Sequence, residues 1–145
     1  MVLFSSDLEF IVMKKTNINT LIIDAANEKI FLMIITIDNT YSITHDNSKI
    51  NYEKLTLLVN DFLYSKNLEL GNISEIYVNR GPGSFAGIRN SLSVVKALNL
   101  AINIDYYCYS RVDFNDETDF KYENIPNLCD KFNIKKNLIK PIYIS

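Results

Sequence analysis

The chain has 145 residues, 48% of them hydrophobic, and a net charge of −2. The length predicts one domain, the apolar content suffices for a core, and the charge excludes the overall basic field typical of nucleic-acid-binding domains. No apolar run reaches the roughly 20 residues of a membrane-spanning helix, and the two cysteines lie far apart, as expected of free thiols in a cytoplasmic protein.

The first twelve residues have no place in the predicted fold. Residues 1–12 are moderately apolar, but lysines follow them at positions 14 and 15, which reverses the charge order of a signal peptide. We expect this segment to be disordered, or to lie before the true start of the protein at Met13, because chain ends outside the core are usually poorly ordered.

Three strands are predicted next. Residues 21–24 and 29–37 are apolar, residues 40–44 are more polar, and short turns separate them. Strands joined by such turns form an antiparallel meander. The run FLMIITI predicts that the second strand is buried on both faces.

Helices and strands then alternate. Residues 51–64 have apolar positions at helical spacing, with Asn51 as the predicted N-cap, and residues 87–102 show the same spacing. Residues 73–78 and 105–109 are apolar and predict two further strands. The predicted order is therefore β-β-β-α-β-α-β, which indicates a mixed α/β sheet.

The reduced C-terminal segment, residues 111–145, differs from the predicted domain at residues 13–110. Acidic residues and asparagines are frequent, and Pro126 should prevent a long helix, although a short one is expected at residues 128–132. Residues 141–145 are apolar and β-prone, and we predict that they add an edge strand.

Three of the four glycines lie in the turn between the fourth strand and the second helix. Neither nucleotide-binding pattern fits, since no Lys-Ser or Lys-Thr pair follows the last glycine and Ala86 stands where the third Rossmann glycine is needed. The cluster predicts either a tight turn where two backbones approach closely, or an interaction surface or weak anion site. Its residues are Arg80, Gly81, Pro82, Gly83, Ser84, Phe85, Gly87 and Arg89.

Asp24 ends the first strand and would lie beside the glycine turn if the first and fourth strands are neighbours. It could serve as a vestigial phosphate site or cap the turn at residues 25–28. Ala25 and Ala26 offer no hydroxyl to a phosphate, which favours the turn. No residues assemble an acid–base or nucleophile–base pair, and His45 is the only histidine, so we predict no catalytic residue and no metal ligand.

The segment NRGPGSFAGIR at residues 79–89 resembles GRGPGSFTGIR, the signature of TsaB-type (YeaZ-like) proteins in the glycoprotease-like family, also called Gcp-like or M22-type. LIIDAANEKI, NYEKL and KPIYIS resemble, in the same order, the family's opening strand, the start of its first helix and its closing motif. The chain differs at Asn79, where the family has glycine, and at residues 24–26, where Asp-Ala-Ala replaces Asp-Thr-Ser.

The resemblance implies the ribonuclease H-like (actin-hexokinase-like, ASKHA) fold with the second lobe largely missing. It implies a non-catalytic scaffold in the tRNA threonylcarbamoyladenosine pathway that binds the transferase subunit TsaD, acts with the ATPase TsaE, contacts tRNA only indirectly and can form a homodimer. No cofactor is expected apart from weak ATP or ADP binding at the partner interface. The alternative is a small actin-like or sugar-kinase-like ATP-binding protein, and a single histidine disfavours a metallopeptidase.

The partner surface is predicted on the two helices, which should lie side by side. Apolar positions that remain after each helix has covered the sheet should form an exposed patch, and such patches mark binding surfaces. The residues predicted there are Leu57, Leu58, Leu92 and Val95.

Overall fold

A computed structural model describes residues 18–115 and 120–143. The predictions for residues 1–12 and for the start at Met13 therefore lie outside the described residues. Five strands form one mixed sheet in the order β3-β2-β1-β4-β5. Their bounds are Thr20–Asp24 (β1), Lys29–Ile35 (β2), Thr40–Asp46 (β3), Glu75–Asn79 (β4) and Asp105–Tyr109 (β5).

The sheet combines the predicted meander with two parallel crossovers. β1 pairs antiparallel with β2 and β2 antiparallel with β3, while β1 pairs parallel with β4 and β4 parallel with β5. The helices are α1 (Lys49–Glu53), α2 (Leu55–Ser65), α3 (Phe85–Ile102) and α4 (Ile125–Lys131). This confirms the predicted element order and places the carboxyl ends of β1 and β4 side by side.

Alternate residues of each strand face opposite sides of the sheet, so a core forms on both sides. On one side the strands pack against α1, α2 and α3, and the predicted apolar helix face, which includes Leu55 and Val59, is buried there. On the other side they pack against the reduced C-terminal segment. The buried residues of this second core are Ile22, Met33, Tyr77, Tyr109, Phe114, Ile125, Leu128 and Cys129.

The first helix begins differently from the prediction. Ser48, not Asn51, is the N-cap, because the Ser48 Oγ accepts a hydrogen bond from the Asn51 N–H at 3.2 Å. The Asn51 side chain instead donates to the Asp46 carbonyl at 2.7 Å. The helix is also divided at Lys54, which lies outside the α-helical range and separates α1 from α2.

Two other sequence predictions were wrong in detail, and a third was confirmed with shifted bounds. β2 ends at Ile35, and Ile37 is 59% exposed, so the second strand is not buried along its whole predicted length. The predicted short helix is present as α4, but it begins three residues earlier than expected. Pro126 lies in its first turn, where its missing N–H has no intrahelical partner to lose. Residues 141–143 form no strand, although the Ile142 N–H donates to the Arg80 carbonyl at 2.7 Å. Residues 144 and 145 of the predicted edge strand lie outside the described residues.

Asn137 covers the free edge of β5. Its backbone N–H donates to the Tyr106 carbonyl at 2.7 Å, and its Oδ1 accepts from the Tyr106 N–H at 2.9 Å. Its Nδ2 donates to the Asp105 carboxylate at 2.9 Å. These bonds occupy strand groups that could otherwise pair with a strand of another molecule.

Candidate ligand site and partner surface

The glycine turn packs directly against the turn that follows β1. An added Cβ on Gly83 would overlap the carbonyl oxygen of Ala26, and one on Gly87 would overlap that of Ala25. Gly81 adopts a φ of +106°, a conformation that L side chains rarely adopt, and its missing side chain makes room for the carbonyl of Ile142. Close backbone approach therefore accounts for all three glycines.

The helix after this turn is capped from within the motif. The Ser84 Oγ accepts a hydrogen bond from the Gly87 N–H at 3.2 Å and lies 2.8 Å from the Tyr52 hydroxyl, which ties α1 to the turn. Phe85 is 55% exposed, and Arg89 lies over its ring at 5.5 Å. The motif thus combines buried glycines with two outward-facing side chains.

Arg80 has a structural role. Its Nη2 lies 2.5 Å from the Asp113 Oδ1 and its Nε donates to the other carboxylate oxygen at 3.2 Å, so the pair is bidentate. Its Nη1 also donates to the Lys140 carbonyl at 3.0 Å. Because three guanidinium nitrogens are engaged, Arg80 connects β4 to the C-terminal segment rather than facing a ligand.

Asp24 is buried beside the glycine turn, as predicted, with a carboxylate that accepts four hydrogen bonds. Its Oδ1 accepts from the Ala26 N–H at 3.1 Å and from the Asn79 Nδ2 at 3.2 Å. Its Oδ2 accepts from the Asn27 Nδ2 at 3.0 Å and from the Tyr122 hydroxyl at 2.7 Å. The bond to Ala26 confirms that Asp24 caps the turn after β1.

A cavity of about 240 Å³ opens next to Asp24. Burial, together with the Asp24 charge, raises the pKa of Tyr122, so the phenol stays protonated and donates to the carboxylate at neutral pH. The ring of Tyr122 also stacks on Phe31 with centroids 4.0 Å apart. The cavity is lined by Asp24, Asn27, Asn79, Gly81, Pro82, Ser110, Arg111, Val112, Phe120 and Tyr122.

This cavity does not fit the phosphates of ATP or ADP at Asp24. A carboxylate has about four lone-pair sites, and Mg²⁺ needs free ones to bind phosphate through it. Each Asp24 oxygen already accepts two hydrogen bonds, and no hydroxyl is present at residues 25 and 26. Within residues 18–115 and 120–143, no group of three or more potential metal ligands occurs.

A larger cavity of about 640 Å³ lies at the opposite end of the sheet, near Glu75 and Asp130. It is at the amino ends of β4 and β5. Ligands of open α/β sheets bind outside the carboxyl ends of the strands, which makes the Asp24 end the better candidate despite its smaller volume.

The exposure predicted for the partner patch is found fully at only one of its four residues. Leu57 is 53% exposed and Leu58 is half-buried, but Leu92 is 4% exposed and Val95 is completely buried. Ile88, Leu92 and Val95 follow one another at spacings of four and three residues, so they share the face of α3 that covers the sheet. Leu92 and Val95 therefore belong to the core and not to an exposed surface.

Other apolar side chains replace them on the outside of the helices. Leu57 and Tyr64 are seven residues apart on α2, nearly two helical turns, and therefore lie on one face. Tyr64 is 80% exposed, and Ile50 on α1 is 61% exposed. We call the exposed face formed by Leu57 and Tyr64 the helical patch.

The family model described as TsaD, tRNA N6-adenosine threonylcarbamoyltransferase, matches residues 42–129. The chain belongs to this family. This chain is also similar to the TsaB protein of Buchnera aphidicola subsp. Baizongia pistaciae (strain Bp), a tRNA threonylcarbamoyladenosine biosynthesis protein, with 30% identity over 74 residues. The match covers 45% of this chain and 34% of that protein, so the chain spans about a third of the relative's length.

Two solved structures share the fold of this TsaD-family chain. YeaZ from Pseudomonas aeruginosa has a TM-score of 0.60 and 20% identity, covering 70% of this chain and 50% of its own. A crystal structure described as an uncharacterized protein similar to the peptidase YEAZ from the same organism gives the same values. The comparisons confirm the predicted resemblance to TsaB and YeaZ and the ribonuclease H-like, ASKHA-type fold. In the described part of the chain, no helix is long and apolar enough to cross a bilayer.

Sequence reasoning missed two features of the Asp24 site. Tyr122 reaches Asp24 across 98 residues, and no local pattern marks it. Asn79 was noted as a departure from the family's glycine, but its function was not foreseen. Its Nδ2 donates to Asp24 while its Oδ1 accepts from the Gly81 N–H at 2.8 Å. The signal available in the sequence was the replacement of glycine by asparagine, since the side-chain amide adds both a hydrogen-bond donor and an acceptor.

Proposed function

We propose that this chain is a non-catalytic subunit of the machinery that forms threonylcarbamoyladenosine in tRNA, and that it binds a TsaD-type transferase. The observation that carries the proposal is the helical patch, because large apolar side chains on an exposed helix face suit docking against a partner helix. Membership of the TsaD family and the similarity to TsaB support the choice of pathway and partner.

The state of Asp24 supports a scaffold over the alternative of an actin-like or sugar-kinase-like ATP-binding protein. All four lone-pair sites of the carboxylate are used inside the protein, so a bound nucleotide would have to break existing hydrogen bonds. The same patch would serve a homodimer in the absence of TsaD. Cooperation with TsaE and the division into a domain at residues 13–110 and a reduced segment at residues 111–145 are parts of this proposal.

Leu57→Asp is expected to weaken binding to the TsaD-type subunit of the same organism by about a hundredfold or more. A central apolar contact would be lost and a carboxylate would be desolvated without a partner. The monomer should remain folded, because Leu57 is half exposed in the free chain. Isothermal titration calorimetry with the transferase measures the effect.

Thr56→Asp is the matched control, since it adds the same charge at an exposed position one residue away and about 100° around α2. Binding by Thr56→Asp should resemble that of the wild type. Equal weakening by both substitutions, or undiminished binding by a folded Leu57→Asp chain, would place the partner elsewhere.

A further inference from the structure

The charges of the chain are strongly segregated. α3 contains Arg89 and Lys96 and no acidic residue, and residues 131–143 contain four lysines and no acidic residue. All 17 aspartates and glutamates lie outside these two segments, although the chain as a whole is acidic. A net charge of −2 therefore conceals a basic region, and such a region is the electrostatic signature of a polyanion site.

The fold brings these two segments together. The rings of Phe85 on α3 and Tyr143 have centroids 4.7 Å apart, and the Asn99 Nδ2 donates to the Asn137 Oδ1 at 3.4 Å. Between the segments runs a groove of about 240 Å³, which we call the α3 groove. Its described lining residues include no acidic side chain and are Arg89, Leu92, Ser93, Lys96, Ile139, Pro141 and Tyr143.

Two carboxylates, on β5 and on the segment that follows it, are paired with other cations. Asp113 forms its bidentate pair with Arg80, and Asp105 lies 3.7 Å from the Lys136 Nζ. Arg89 and Lys96 are seven residues apart on α3, so their side chains lie on one face about 10 Å apart along the helix axis. Cations at this spacing suit successive contacts to an extended, repeating anion.

Two exposed aromatic side chains lie at one end of the groove. Phe85 is 55% exposed and Tyr143 is 42% exposed, and Ile139 adds an apolar wall. Single-stranded nucleic acids are bound by grooves that combine cations for the phosphates with aromatic side chains on which bases stack. An acidic peptide would use the cations but would leave the exposed rings without a matching group.

We propose that the α3 groove binds single-stranded RNA, with Arg89 and Lys96 contacting phosphates and Phe85 and Tyr143 stacking on bases. This goes beyond the proposed function, which assigns the chain a protein partner, and it replaces the expectation of only indirect contact with tRNA. It does not depend on TsaD binding, because the helical patch and the α3 groove use different residues.

The test is fluorescence anisotropy of the purified chain with a labelled single-stranded RNA of about 12 nucleotides, a length within the range such grooves cover. Two phosphate contacts should make the logarithm of the association constant fall with a slope of about −1.4 against the logarithm of salt concentration. Arg89→Glu with Lys96→Glu should reduce affinity at least tenfold and flatten this slope. Tyr143→Ala should weaken binding roughly tenfold for all sequences.

The control is Lys49→Glu with Lys54→Glu, which changes net charge equally at two exposed positions, the first residue and the C-cap of α1. It should leave RNA binding near the wild-type value. The proposal would be overturned if both double variants lost affinity equally, or if the wild type failed to bind RNA at low salt. It would also be overturned if polyglutamate of equal total charge displaced the RNA. Calorimetry with TsaD on the same variants separates the two proposals, because the groove variants should still bind it.

Discussion

Gly87→Ala is expected to destabilise the protein by about 1–2 kcal/mol, although alanine is the better helix former. The new Cβ would overlap the Ala25 carbonyl oxygen and press on the Tyr52 ring, so the turn after β1 and the start of α3 would have to separate. Overpacking against backbone costs more than the roughly 1 kcal/mol that alanine gains over glycine in a helix. Urea unfolding followed by circular dichroism measures the change.

Gly71→Ala is the control for this substitution. A Cβ at Gly71 would meet nothing within 4 Å, and its backbone is not in the left-handed region, so stability should stay within about 0.5 kcal/mol or rise slightly. If Gly87→Ala proved as stable as Gly71→Ala, the glycine turn would not be closely packed. The interpretation of that motif as a weak anion site would then be preferred to that of a tight turn.

Val95→Asp is expected to unfold most of the protein. Val95 is fully buried between α3 and the sheet, in a hydrophobic core that provides no polar partner for a carboxylate. Burying an unpaired ionisable group there costs about 4 kcal/mol or more, a large fraction of the roughly 5–15 kcal/mol that stabilises a domain. Loss of TsaD binding by this variant would therefore report unfolding and not the position of the interface.

Ala97→Asp provides the comparison, because it adds a carboxylate on the exposed side of the same helix. Its free energy of unfolding should lie within about 1 kcal/mol of the wild-type value, whereas Val95→Asp should lose its cooperative unfolding transition. A cooperatively folded Val95→Asp chain would mean that α3 does not lie on the sheet as described. Circular dichroism and thermal unfolding distinguish these outcomes.

The fold was predictable wherever neighbouring residues determine it. Alternation along the strands and the spacing of Leu55 and Val59 on the first long helix identified the elements and the core. The N-cap was misassigned because both Ser48 and Asn51 are capping residue types, and only the path of the chain after β3 decides which one precedes the first turn.

The candidate surfaces were less predictable because they depend on which helix face meets the sheet. On α3 the buried stripe runs through Leu92 and Val95, and a shift of about 100° in the assumed face turns these core positions into apparent surface. The Asp24 network joins residues 55 and 98 positions apart in the sequence. The α3 groove depends on how the C-terminal segment packs against α3, which no local sequence pattern reveals.

The most direct measurement is the amount of threonylcarbamoyladenosine formed in tRNA by purified components. TsaD and TsaE from the same organism, tRNA, ATP and a threonylcarbamoyl donor are combined with or without this chain, and the modified nucleoside is quantified by mass spectrometry. We predict formation only when the chain and TsaD are both present, and none with the chain alone. Equal formation without the chain, or formation by the chain without TsaD, would contradict its assignment as a non-catalytic partner.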